Sequence, residues 1–571
     1  MKVLIFFVAF LVFVRNIESQ SLEFIMDMVH NNPGETPFVT KYNDPFYLKS
    51  QGFNSITPQW HINCAITYDN FNNKLIKKNS SGRNWIERQA NKIDSSLKQC
   101  KKAGLNVYPF TDFLIFPKEI WEQYGDSICA NNSVVQFARE FKPDIKRKYT
   151  QQLLRAQIEG IFQRFPLLDG IVLRFGETYL QDTPFHLGSS PVYSIDDQII
   201  FINILKEEIC VKRNKKLLFR TWDFGYNFHN NPDYYLKVTN AIEPHPNLIF
   251  SIKYQQGDFL RMTPFNPCLG IGKHRQIVES QSCMEVYGKG AHPYYSAFGV
   301  INGWPETKYE INLGDASFTG KINNTKNPRG IKDILHTGLL CGVNTWSRGG
   351  GWQGPYITNE IWADLNTYVI SQFALNTGLS EEELFKKFAL QRGIYGHNFY
   401  CFRQIALLSI EGVRKGQCNS YTNNQLWWSR DEYFSVNVNN NVIDSILKKG
   451  LTNKVLAEKS ESVYIWKQIE ALSMDLDMKD SVLQDVIRVS CKYGRIKYEL
   501  IEQMWRLMLI NANDIKSNRT EIKSIIRHYD KLWAEWKALK LSSPYCATLY
   551  TEMSFRNQQK GSIGELVNSL R

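Results

Sequence analysis

Past Val14 the sequence has no apolar run long enough to cross a bilayer as a helix, so no membrane-spanning helix is expected there. Its 11 cysteines are scattered from Cys64 to Cys546 without a CxxC pair, which argues against a zinc ribbon or a thioredoxin motif. Some disulfides are the expectation, with at least one thiol left over because the number is odd. The net charge is +12, yet no Lys/Arg tract of the kind found in nucleic-acid tails is present. Such a diffuse positive balance favours an acidic glycan and not DNA or RNA as partner. There is no repeat at a solenoid period. The histidines lack metal-ligand spacing, and no Gly-rich phosphate loop follows a strand. The RGGG run from Arg348 to Gly351 comes nearest but lacks the Lys-Ser/Thr of a P-loop. No metal or organic cofactor is therefore expected.

What is present begins with Met1 and Lys2 ahead of the apolar run Val3 to Val14, with Ser19 at a plausible cleavage point. This reads as a secretory signal peptide over 1–19, too short for a comfortable membrane anchor. The expected location is extracellular, or otherwise a lumen of the secretory pathway. Asn79, Asn131, Asn323 and Asn518 each begin an Asn-x-Ser/Thr acceptor for glycosylation in such a pathway.

Short β-rich runs then alternate with longer helical patterns. The runs are Leu22 to Val29, Phe53 to Trp60, Leu105 to Phe116, Gly170 to Phe175, Leu217 to Trp222, Leu248 to Tyr254, Gln276 to Met284 and Gly338 to Trp346. Eight is the number that a closed barrel of parallel strands needs. Between them the spacing predicts crossover helices such as Asn84 to Lys102 and Pro143 to Phe162, the latter with Ile145, Tyr149 and Leu153 on one face. Alternation of strand and helix implies parallel pairing, because hairpins cannot connect parallel neighbours. After Gly354 and Pro355 only helical patterns follow. Ile522, Ile525, Tyr529, Leu532, Trp536 and Leu539 make one apolar stripe there. The reading is a TIM (β/α)8 barrel over 20–355 and an all-α carboxyl-terminal domain over 356–571, whose helices would also carry any homodimer contact.

In such a barrel, active sites are built at the carboxyl ends of the strands, so acids placed there read as chemistry. Glu177 follows the run DGIVLRFG, Asp258 lies just past Lys253, and Glu285 closes the next run. A proton donor facing paired carboxylates is what glycosidic cleavage requires: one group protonates the leaving oxygen, another activates water or attacks the sugar carbon. Ordinary loop capping by Asp258 and a Glu285–Lys289 ion pair are the plain alternative. Arg174, Arg220 and Lys253 come from three strand ends and would form a pocket for a substrate carboxylate, unless they only neutralise the acids. Trp222 and Trp346 are candidates for stacking against a sugar face, or for packing.

The block NLIFSIKYQQGDFLRMTPFNPCLGIGKHRQIVESQSCMEVYGKG resembles the α-glucuronidases of glycoside hydrolase family 67, which cleave α-linked glucuronic acid from xylan side chains with inversion. The likeness lies in the Lys, the Asp five residues on, the Pro-containing loop, and the Glu before a Tyr-Gly turn. It implies that Asp258 and Glu285 resemble the base-side carboxylates, that Glu177 resembles the general acid, and that Arg220 and Lys253 match uronic-acid contacts. The segment Ala363 to Ala389 also looks like the start of that family's helical domain. Two departures stand out. Members of the family carry a domain ahead of the barrel, whereas here the first strand directly follows the signal segment, and Arg174 replaces a lysine one residue closer to the acid. The expectation is a secreted glycoside hydrolase acting on α-linked glucuronic acid. A glycosidase for a neutral or amino sugar, and a carbohydrate-binding protein without turnover, are the alternatives.

Overall fold

A computed structural model describes residues 20–31, 39–129, 142–175, 178, 180, 182–190, 194–223, 227–257, 259, 265–282, 290–304, 330–349, 357–417, 419–422, 436–513, 518–548 and 563–571. Each of the eight β-rich runs contributes a strand to one parallel sheet: β1 (Phe24–His30), β2 (Ser55–Ile56), β3 (Asn106–Val107 resuming as Phe110–Thr111), β4 (Gly170–Leu173), β5 (Lys216–Arg220), β6 (Leu248–Lys253), β7 (Arg275–Gln281) and β8 (Leu340–Gly349). The strands neighbour one another in chain order, and β8 pairs with β1. The ring is completed through β3, whose first half pairs with β2 and whose second half pairs with β4. The sheet is thus a closed barrel, as the alternating pattern predicts.

Period-2 alternation sorts the strand residues into two cores. Phe24, Met26, Tyr108, Phe110, Val172, Leu218, Ile249, Ile277 and Cys341 fill the barrel, while their sequence neighbours pack outward against helices. Among these helices are Ser81–Lys102 and Lys148–Arg164, close to the expected bounds. The long run Leu105 to Phe116 does not form one strand. Pro109 brings no N–H to the ladder, and Leu114 turns out of the barrel at φ 62°. The chain beyond, Ile115–Pro117, pairs antiparallel with His186–Gly188 outside the ring.

After β8 the described elements are helices. Ile361–Leu375 closes the barrel, with Asn366 donating to the carbonyls of Ser282 and Tyr294 and Ala374 accepting from Leu22 N–H. Gly396–Gln417, Thr452–Met474, Ser481–Asn513 and Arg519–Ser542 follow. The stripe from Ile522 to Leu539 is buried inside this assembly. Trp466 and Tyr498 stack at 4.7 Å between helices that glycine lets approach closely: a Cβ at Gly494 would lie 2.3 Å from Trp466, and one at Gly416 would lie 2.2 Å from Tyr498. The helical part meets the barrel where the chain has left β7. His292 lies edge-on to Trp466 and Tyr498, and its Nε2 is 3.0 Å from Lys497 Nζ.

The expectation of disulfides is corrected for the described cysteines: all nine are free thiols, and eight of them are buried. They pack singly as small apolar side chains in separate parts of the core, and burial pushes the thiols of Cys210 and Cys341 up to about 12. The cysteines Cys283 and Cys418, the signal segment, Asn131 and Asn323 lie outside the described residues. Among the described residues no helix is long and apolar enough to cross a membrane.

The seam between β1 and β8 tolerates no added volume at Gly342, where a Cβ would fall 2.4 Å from Phe24 Cβ and 2.6 Å from its carbonyl oxygen. Gly342→Ala should therefore destabilise the fold by about 1–3 kcal/mol, read as a lowered midpoint in denaturant unfolding.

Candidate active site

The carboxyl ends of the eight strands bring charge and aromatic surface to one mouth. Interior alternation along β4 and β5 carries Val172 on to Arg174 and Leu218 on to Arg220. Along β6 and β7 it leads to Lys253, Glu279 and Gln281. All five side chains are almost wholly buried.

Each arginine meets a carboxylate of the chain. Arg174 donates from Nε and Nη2 to Asp112 at 2.7 and 2.6 Å, and Arg220 donates from the same two atoms to Glu279 at 2.7 and 2.8 Å. Ser251 Oγ donates to Glu279 Oε1 at 2.7 Å. Bidentate pairing of this kind fixes the plane of the guanidinium as well as its charge. Burial alone would raise the Glu279 carboxyl, but Arg220, Lys253 and the Ser251 hydroxyl together hold it below the usual carboxylate range.

The rings complete the arrangement. The Arg220 guanidinium lies 4.8 Å from the Phe110 ring centroid and 5.2 Å from that of Trp346. Lys253 Nζ sits 3.8 Å from Trp222, 4.5 Å from Phe259 and 5.7 Å from Trp346. Cation–π attraction is strengthened when both partners are desolvated, as they are here. His30, the last residue of β1, stacks on Trp346 at 5.2 Å. The loop after β5 is tied to the end of β6 by His229, whose ring nitrogens meet Thr221 Oγ1 at 3.0 Å and the Gln255 carbonyl at 3.2 Å.

The five candidate binding residues Arg174, Arg220, Lys253, Trp222 and Trp346 therefore converge. Their surroundings differ from simple open platforms: the face of Trp222 holds Lys253, and Trp346 is packed by His30 and Phe259. The candidate acids Glu177, Asp258 and Glu285, which follow β4, β6 and β7 in the chain, lie outside the described residues. Asp112, Glu279, His30, Gln281, Phe110 and Phe259 were not singled out from the sequence. Asp112 follows a strand just as Glu177 does, and Glu279 alternates with Ile277, so position and period held the signal for both.

At the mouth, Trp346 Nε1, a donor, and Gln281 Oε1, an acceptor, are buried with no hydrogen bond among the described residues. Buried polar atoms of this kind are partnered by water or by ligand hydroxyls. Among the described residues no group of three or more His, Cys, Asp and Glu side chains could hold a metal ion.

No protein-family model matches the chain, and no curated protein is recognisably similar to it. Solved structures do match. A family 138 glycoside hydrolase targeting pectin rhamnogalacturonan II overlaps with a TM-score of 0.54 at 11% identity, over 96% of this chain and 66% of the enzyme, so the chain spans just under two thirds of that protein's length. An O-GlcNAc hydrolase of Thermobaculum terrenum overlaps with a TM-score of 0.38 at 9% identity, over 96% of this chain and 93% of that one. A family 20 exo-β-N-acetylglucosaminidase of Vibrio harveyi gives 0.32 at 8% identity, over 65% and 58%. Only the first exceeds 0.5, and at its level of identity it bears on the fold alone.

Removing one member of the Arg220–Glu279 pair leaves a buried charge without its counterpart. Glu279→Ala should cost about 3–5 kcal/mol of stability in urea unfolding, and Arg220→Met/Glu279→Leu should cost clearly less than the two single changes added. Because the Glu279 carboxyl is depressed in the fold, its contribution is present above the ordinary carboxylate range and is lost as pH falls through the folded value. The difference in stability between parent and Glu279→Ala should accordingly shrink in acid.

Proposed function

We propose that the chain is a glycoside hydrolase that releases α-linked glucuronic acid, or a closely related uronic acid, from an oligo- or polysaccharide. The observation that carries this reading is the convergence of Lys253, Arg220 and Arg174 with Trp222, Trp346, Phe110 and Phe259 at the carboxyl end of a closed (β/α)8 barrel. Cations held against aromatic faces suit a sugar that carries both an apolar face and a carboxylate.

In this reading Glu177 protonates the leaving oxygen, and Asp258 or Glu285 activates water on the opposite face of the ring. Inversion requires about 6.5–9.5 Å between acid and base to admit that water. Lys253 supplies the cation for the uronate, and the internal pairs Arg174–Asp112 and Arg220–Glu279 keep the surrounding wall rigid and close to neutral. Trp346 Nε1 and Gln281 Oε1 serve sugar hydroxyls. Export through the secretory pathway, with glycosylation at the exposed Asn79, belongs to the same proposal.

The test is release of free glucuronic acid from reduced aldouronic oligosaccharides by the parent and by Glu177→Gln. Release by the parent, reduced roughly 100-fold or more in the variant, is expected. No release by either protein would turn the reading toward a neutral or amino sugar, for which a panel of aryl glycosides is the assay. Lys253→Ala should weaken binding of acidic sugars while sparing neutral ones, and equal losses for both would remove the carboxylate pocket from the account.

A further inference from the structure

The β1–β8 seam carries an irregularity next to a site residue. Asp27 is paired with Thr345 and Val29 with Arg348, so β8 spends one more residue than β1 over this stretch. An extra residue in one strand locally disrupts the regular ladder. Here the bulge lies beside Trp346, whose indole points into the barrel between His30 and Phe259, while the next side chain, Ser347, points the other way.

Asp27 caps this bulge from β1. Its Oδ1 accepts from Thr345 Oγ1 at 2.7 Å and from Ser347 N–H at 3.1 Å, and its Oδ2 accepts from Ser347 Oγ at 2.7 Å. The carboxylate therefore satisfies an N–H at the point where the regular register breaks, and it holds the residues on both sides of Trp346. It is 1% exposed, yet it borders a cavity of about 230 Å³ on the outer side of the strand, lined also by Tyr42, Thr57, Gln59 and Gln99. Thr57 Oγ1 is buried at that cavity without a hydrogen bond among the described residues, so the space is polar enough to admit water.

We infer that Asp27 is a positioning residue of the site: it anchors the residues on both sides of Trp346 where β8 leaves its register with β1, and it loosens that hold when its carboxyl takes a proton. A proton on Oδ2 turns it into a donor toward Ser347 Oγ, which must reverse its own bond, and the hydrogen bonds from Thr345 and Ser347 lose the strength of a charged acceptor. The position of the group favours this titration near neutrality. Burial raises the carboxyl to about 7 against the opposing effect of the hydrogen bonds from Ser347, Thr345 and Met28.

Among the described residues, the charged and titratable groups around it are few. On the segment Lys41–Asn43, Tyr42 and Lys41 both bond Asp364 of the helix Ile361–Leu375. Arg348 on β8 pairs with Glu360, and Cys100 comes from the helix Ser81–Lys102. Burial pushes Tyr42 well above its ordinary value and Cys100 up to about 11, so neither changes charge near neutral pH. His30, on the mouth side of β1, is the group whose ordinary range overlaps, and it needs its own control.

The inference rests on the mouth being the site but not on which sugar it takes, and its test reads the indole directly. The full chain is labelled with 5-fluorotryptophan, the Trp346 resonance is identified by its loss in Trp346→Phe, and it is followed by fluorine NMR from about pH 5 to 9, a window around the ordinary histidine value. The resonance should move with a midpoint near 7 in the parent and in His30→Gln. In Asp27→Asn it should hold one position throughout. Ser347→Ala, which keeps the acid and removes a donor to its charged form, should raise the midpoint by roughly half a unit or more, and it serves even if Asp27→Asn fails to fold. A resonance that stays still in the parent, that moves unchanged in Asp27→Asn or Ser347→Ala, or that stops moving in His30→Gln would overturn the inference. Because no substrate is used, failure of the uronidase reading and failure of this one are distinguishable.

Discussion

Inside the barrel the guanidinium of Arg220 lies flat against Glu279, and the rest of the mouth is arranged around that buried pair. Two charges removed from water are tolerated only if each is fully met. Glu279 is met by Arg220 and by Ser251, and the Phe110 and Trp346 rings lie 4.8 and 5.2 Å from the guanidinium. The same rings then contact their neighbours: Trp346 touches Phe259 and His30, and Phe259 lies against Lys253. One pairing requirement thus propagates through β3, β5, β6, β7 and β8. Arg174 with Asp112 repeats the device on the side of β3 and β4.

This arrangement separates two jobs that a cluster of cations could confuse. The arginines are paired with internal carboxylates and build wall, and Lys253 is boxed by rings beside Glu279. In the proposed reaction the substrate carboxylate would be sensed chiefly by Lys253, with the arginine pairs setting the shape around it. The seam between β1 and β8 adds a third element, since the residues flanking Trp346 are held by a buried acid on the outer side of the strand.

The barrel was legible because apolar β-runs separated by helical patterns have few ways to close, and all eight runs became strands. The break in the third run was less so, since it depends on Pro109 and on a positive φ at Leu114 within a segment that reads as continuous. The convergence of Arg174, Arg220 and Lys253 followed from their places at strand ends. Their partners did not, because Asp112 lies 62 residues from Arg174 and Glu279 lies 59 from Arg220, distances at which spacing carries no information about contact. The cysteines misled for a related reason. A scattered set suggests cross-links, but a buried thiol packs as an ordinary small apolar group, and only the fold shows that the nine described ones are apart.

The central claim is that this mouth recognises an anionic sugar. Calorimetric titration of the full chain with free glucuronic acid and with glucose, at low and high salt, tests it without requiring turnover. The account predicts that glucuronate binds at least about tenfold more tightly than glucose, a difference near 1.4 kcal/mol, and that added salt narrows the gap. Equal binding of the two sugars, or tighter binding of glucose, would contradict it.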